Sequence, residues 1–247
     1  MRKLILIIAL FAISLSANTF TKYELDLANN GVIGNYNLFI KTKNPEYIKK
    51  AYNAKREFLE ILNKKDSNDK YVKQAKNTLA QVPVFLQYCV VAMLHNNKDM
   101  ITGKCYDMFR NIEADYGYAQ TSRETTLENL VERLSKYYEY NKAKKVGLWT
   151  LKLYPKSAPT LYNISILYMI LYQTLKDKEA VKAFKNKTEF NCFFNKTLLE
   201  ADRIGKKTDF YAPANYIRNY GLMENSPECK NFNFRKKLQE LIKKEGF

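Results

Sequence analysis

The chain has 247 residues, 27% charged and 46% hydrophobic, which excludes both a disordered tail and a polytopic membrane protein. Eight glycines and six prolines are too few for a sandwich, a barrel or a glycine-looped nucleotide fold, and a single histidine leaves little room for histidine catalysis or a multi-histidine metal site. Lys and Arg number 41 against 25 Asp and Glu, a formal charge of +16.

At the N-terminus, Met1-Arg2-Lys3 precedes an apolar run from Leu4 to Leu15 and then the small residues Ser16-Ala17. This is the pattern of a cleavable secretory signal over residues 1–17, and the run is shorter than the ~20 residues a membrane helix needs. Cleavage after Ala17 is expected, with Asn18 as the first mature residue, a net charge lowered to +14 and a periplasmic location. Two later stretches are also apolar. Val82 to Leu94 is short and contains Pro83 and Gln87, while Ala158 to Leu175 contains Asn163, Ser165, Gln173 and three tyrosines. Both are read as buried helices, leaving no integral membrane span after cleavage.

Residues 18–120 are read as N-terminal helical hairpins. Asn44-Pro45 opens a helix whose apolar stripe is Ile48, Ala51, Tyr52, Phe58, Leu59 and Leu62. Asp66-Ser67-Asn68 is expected to cap the next, with Val72, Ala75 and Leu79 facing inward. Asn96-Asn97 marks a turn, and residue 97 is the midpoint of Cys89 and Cys105. The four cysteines permit three full pairings. Two antiparallel helices folded about residue 97 favour Cys89 with Cys105, which leaves Cys192 with Cys229. Each bridge would stabilise the fold by about 2–4 kcal/mol and calls for an oxidising compartment such as a bacterial periplasm. The spacings fit no zinc or CxxC redox site.

Leu127, Leu130, Val131, Leu134, Tyr137 and Tyr138 form the cleanest helical stripe. After it come Tyr140-Asn141-Lys142-Ala143, Gly147 and Leu153-Tyr154-Pro155. A second unit runs from Ala158 through Leu161, Ile164, Ser165 and Tyr168 to Asp177-Lys178-Glu179-Ala180 and Phe184. Over residues 121–186 this pair resembles a tetratricopeptide repeat (TPR). In that pattern a first helix ends in tyrosines, an alanine sits early in the second helix, and a proline follows it. Ala143 and Ala180 are 37 positions apart, three more than the usual repeat, so the first helix of the second unit is expected to be about one turn longer. Residues 187–247 read as a disulfide-tied helical cap. It ends in a helix with Phe234, Leu238, Leu241 and Ile242 on one face and Arg235, Lys236, Lys237, Lys243 and Lys244 on the rest. No stretch alternates with period two, so the expected fold class is all-α: stacked helical hairpins, a TPR-like α-solenoid with a C-terminal cap.

Catalytic chemistry finds little support. His95 sits at an expected helix end beside Asn96-Asn97 with no ligand cluster near it. Gly221-Leu222-Met223-Glu224 is similar to the GLMQ box of lytic transglycosylases. The stretch from Lys206 to Tyr220 holds no Glu, however, and too little chain follows for their second lobe. No GxSxG, GKS/T, HExxH or EF-hand pattern occurs. No catalytic, cofactor-binding or metal residue is assigned, and a non-enzymatic role is expected. Most of the 33 Tyr and Phe residues belong to the core, with Tyr138, Tyr140, Trp149 and Tyr154 as candidate partner contacts. Twenty-four asparagines beside abundant Lys, Ile, Tyr and Phe suggest an AT-rich genome of the epsilonproteobacterial type, which inflates lysine as well. The TPR resemblance implies an adaptor or scaffold that binds periplasmic or envelope proteins, such as an accessory component of the flagellar motor. The alternative is a basic binder of peptidoglycan, lipopolysaccharide or DNA.

Overall fold

The 3.6-residue apolar periodicity is realised as helix throughout: among the described residues every regular element is helical. The computed structural model describes residues 19–112, 119–206 and 227–247. The expected leader at 1–17 and Gly221-Leu222-Met223-Glu224 lie outside them. The chain divides into two compact units, Met1–Met100 with Asp107–Arg123 and Ile101–Tyr106 with Glu124–Phe247. The regions read as repeat pair and cap thus belong largely to one unit.

In the first unit the α-helices of five residues or more are α1 (Lys22–Asp26), α2 (Asn35–Thr42), α3 (Pro45–Lys64), α4 (Lys70–Ala80) and α5 (Val84–Leu94). Thr21 and Glu24 form a reciprocal capping box on α1, and Asn44 caps α3 with Pro45 in its first turn, as the sequence suggests. The cap of α4 differs from expectation. Asp69 accepts from the backbone N–H groups of Tyr71 and Val72, while Asp66 closes a turn by accepting from Asn68 N–H at 2.8 Å. Helix α3 is the hub, packed against α2, α4, α5 and the π-helical turn Leu27–Gly34. Gly31 makes one of these approaches possible, since a Cβ there would lie 2.9 Å from Ala54 Cβ. Tyr52 packs at 4.3 Å on Tyr88 and edge-on to Phe85. Lys55 is buried beside them and donates from Nζ to the Val82 carbonyl at 2.7 Å, with its charge 4.8 Å from the Phe85 ring centroid. The span Lys70–Leu94 has the length and apolarity of a membrane helix. A turn at Gln81–Pro83 breaks it, and its apolar side chains line the core of this unit.

The second unit contains most of α6 (Gln120–Lys136), then α7 (Tyr140–Leu153), α8 (Ala158–Met169), α9 (Lys178–Lys182), α10 (Lys187–Gly205) and α11 (Phe234–Lys244). Helix α8 continues without a break into the π-helical turn Ile170–Thr174, and together they are 17 residues long, the same length as α6 and not one turn longer as the spacing suggests. Helix α8 packs between α7 and α10, and α11 lies on α7 and α10. The stripe Leu127, Leu130, Val131 and Leu134 is fully buried, yet Tyr138 is not. The helix has ended, and Tyr138 takes a left-handed conformation that turns its ring outward. Helix α9, which follows α8, is only five residues long, because Asn186 accepts from Glu189 N–H and starts α10.

At the α7–α8 contact, a Cβ on Gly147 would lie 2.8 Å from Ile164 Cδ1. Gly147→Ala is therefore expected to cost about 1–3 kcal/mol through overpacking, even though alanine favours helix by roughly 1 kcal/mol. Adding Ile164→Val, which removes Cδ1, should make the double variant lose less than the sum of the two single losses in urea unfolding.

The four cysteines are all disulfide-bonded. Cys192 on α10 joins Cys229 with Cα atoms 5.2 Å apart, tying α10 to the segment that leads into α11. Four ion pairs add to this attachment: Arg235 with Glu200 of α10, Lys144–Glu245 at 2.6 Å, Lys237–Glu189 at 3.1 Å and Lys244–Glu179 at 3.2 Å.

One carboxylate in this unit opposes its own ionisation. Ser157, the cap of α8, donates to Glu128 of α6 at 2.6 Å. Burial still raises the Glu128 pKa above the ordinary value, and burial, with the neighbouring Glu128 charge, raises Glu124 as well. The folded state then holds the proton more tightly than the unfolded chain, so stability falls as pH rises from the ordinary carboxylate range through the raised value. Glu128→Gln is expected to raise the melting temperature at pH 8 by roughly 2–4 °C, for a relief of about 1 kcal/mol, and to change nothing at pH 4.

Candidate partner-binding surface

The turns that join helix pairs in the second unit share one backbone device. After α6, Tyr138 has φ 63°, and Glu139 N–H returns to the Leu134 carbonyl at 2.9 Å. After the π-helical turn, Lys176 has φ 49°, and Asp177 N–H returns to the Leu171 carbonyl at 2.8 Å. Both are left-handed helix stops built without glycine, at a cost of about 1–2 kcal/mol each; the first returns five residues back, as in the Schellman motif, and the second, which closes a π-helical turn, returns six. The landmarks repeat at a constant interval: Gln120 to Ala158, Lys136 to Thr174, Tyr138 to Lys176 and Tyr140 to Lys178 are each 38 positions apart. The interval exceeds the 37 between the two alanines because Ala180 lies one position closer to its helix start than Ala143 does.

Stacking the two turns brings their side chains together. Tyr138, Tyr140, Leu171 and Leu175 line a cleft of about 230 Å³ with Glu139, Asn141 and Asp177. The rings of Tyr138 and Tyr140 meet edge-to-face at 6.1 Å. Next along the chain, Tyr172 and Val181 with Lys176, Lys178 and Lys182 line a second, shallower dish of about 480 Å³. Among the described residues the exposed large apolar side chains are Tyr23, Leu38, Leu94, Tyr138, Leu175 and Val181. The last three, exposed by 79%, 54% and 39%, all fall on this one surface. Isolated exposed apolar residues are ordinary, whereas a cluster at adjoining turns marks an interaction site.

The four candidate residues separate into two groups. Tyr138 and Tyr140 stand together on the cleft. Trp149 is half-buried on α7, edge-to-face with Phe247 at 5.4 Å and 5.1 Å from Lys152 Nζ. Tyr154 is buried at the end of α7 and belongs to the core. Sequence reading missed Leu175, Val181 and the three lysines. Carrying the Tyr138 turn forward by the helix spacing would have placed Leu175 and Lys176 at the equivalent turn. His95 is the last-turn cap of α5. Among the described residues no group of three His, Cys, Asp or Glu side chains is placed to hold a metal ion. No protein-family model matches the chain, and neither a curated protein nor a solved structure is similar to it.

Proposed function

We propose that the chain is a periplasmic protein-binding adaptor or scaffold whose second unit stacks its helices in the TPR-like manner, serving an envelope machine such as the flagellar motor. The observation that carries this reading is Tyr138. A non-glycine residue held in left-handed backbone, with its ring 79% exposed, costs stability and covers no core. A tyrosine at that position contributes most as a rigid, amphipathic contact for a partner. The constant 38-residue spacing and the glycine-mediated approach of α7 to α8 support the repeat reading. Disulfide bonding of every cysteine supports an oxidising compartment.

The test is a photo-crosslinking side chain placed at position 138 or 175 in intact cells, followed by mass spectrometry. A discrete protein adduct is expected, lost when Leu175→Asp is added to the position-138 probe. No protein adduct, combined with salt-sensitive retention on lipopolysaccharide or DNA, would replace this reading with the basic polymer binder.

A further inference from the structure

The dish beside the tyrosine cleft has a charge pattern that specifies its ligand. Its wall is apolar, formed by Tyr172 and Val181, and every charged group lining it is a lysine: Lys176, Lys178 and Lys182. The Tyr172 ring is fixed from behind, stacked on Phe190 with centroids 4.1 Å apart and planes within 1°. In sequence these lysines alternate with carboxylates, Lys176-Asp177-Lys178-Glu179, and the fold separates the two signs. Asp177 faces its own helix, accepting from Ala180 N–H at 2.9 Å. Glu179 lies 3.2 Å from Lys244 of α11 and keeps a longer, solvent-exposed pairing with Lys182 at 3.9 Å, at the edge of the ion-pair range. Lys176 and Lys178 form no ion pair among the described residues.

Resting on the adaptor reading, we infer that this dish binds an acidic, amphipathic peptide segment of the partner. One large apolar side chain of the partner would seat against Tyr172 and Val181, with its carboxylates opposite Lys176, Lys178 and Lys182. Charge complementarity selects this occupant. A second copy of the chain would bring its own large positive excess to a positive rim. A phosphate polymer would meet the lysines but leave the Tyr172–Val181 wall without an apolar partner. The adjoining cleft extends only the apolar wall, through Leu171 and Leu175, the chain neighbours of Tyr172 and Lys176; its charged groups, Glu139 and Asp177, leave the peptide's carboxylates to the lysine rim of the dish.

The test begins with a random dodecapeptide library displayed on phage and panned against the full mature protein. Enriched peptides are expected to be net acidic and to carry a large apolar residue. A synthetic copy of one should bind with fluorescence anisotropy that weakens roughly tenfold in Lys176→Glu/Lys178→Glu/Lys182→Glu and in Val181→Asp, all folded by circular dichroism. The exposed-lysine control Lys64→Glu/Lys70→Glu/Lys73→Glu, in the first unit, should leave binding unchanged. The inference is overturned by absence of enrichment, by neutral or basic peptides, or by equal loss in the control. Retention on lipopolysaccharide or DNA that only the dish variants abolish, with no enriched peptide, also overturns it. The two readings fail separately. A cellular crosslink that survives the triple lysine reversal sinks the acidic-peptide inference alone, whereas absence of any protein crosslink sinks the adaptor reading.

Discussion

Phe190→Ala is expected to lower the stability of the second unit by about 3–5 kcal/mol, the range for truncating a fully buried phenylalanine. Phe190 has no exposed surface and sits inside a continuous aromatic cluster. Tyr172 stacks on one side, Phe184 approaches edge-on at 5.4 Å, and Phe194 lies at 6.2 Å. The cluster continues from Phe184 to Tyr168 and Phe193. Truncation would therefore remove apolar burial and the directional contribution of each ring pair, roughly 0.5–1.5 kcal/mol beyond area. The cavity cannot collapse easily, because rings on α8, its π-helical extension and α10 hold one another apart. Urea unfolding followed by near-ultraviolet circular dichroism measures the loss. Phe190→Leu, which keeps most of the volume, should lose clearly less. A loss below about 1 kcal/mol for alanine would mean that the cluster is not the packed core described. A second readout is available, since Tyr172 is the wall of the lysine-rimmed dish and loses its backing with Phe190.

The Cys192–Cys229 bond should have an effect of similar size. It closes a loop of 37 residues, for which restricting the unfolded chain contributes about 3–4 kcal/mol. The double variant Cys192→Ser/Cys229→Ser is expected to unfold at lower urea with that difference. Both cysteines are buried, so the native protein should resist reductant until it opens. Without the bond α11 keeps Leu238 and Leu241 against the core and its four ion pairs, of which the two least exposed, at Lys144 and Lys237, contribute most. Amide exchange in α11 should then accelerate more than in α8, which locates the loss at the C-terminal attachment. Equal acceleration across both helices would contradict that assignment.

Much of the fold was legible because its determinants are local. Ile48, Ala51, Tyr52, Phe58 and Leu62 repeat at helical spacing and are buried, and Asn44-Pro45 starts its helix through a cap that involves only adjacent residues. The cap of α4 was misplaced by three residues because Asp66 and Asp69 are both competent, and only the trajectory of the turn chooses between them. The candidate site was half legible. Tyr138 and Tyr140 were marked by the repeat pattern, but periodicity placed Tyr138 on an inward stripe that the backbone leaves two residues earlier. Trp149 stands out in the sequence beside Gly147 and opposite Ala143, but its surroundings depend on chain distant in sequence, as with Phe247. The dish needed the fold itself, since the alternating charges at Lys176–Glu179 separate only once Asp177 caps α9 and Glu179 meets α11.

Gly147 carries a consequence for how this gene can drift. Every single-base change that replaces a glycine codon's amino acid yields alanine, serine, valine, aspartate, glutamate, arginine, cysteine or tryptophan, and each of these brings a Cβ into the 2.8 Å space beside Ile164 Cδ1. Each such neighbour presses on the Ile164 side chain, so position 147 is left at lower cost in lineages where position 164 has already shortened. One interhelical contact thus biases the order of substitutions, and not merely their identity.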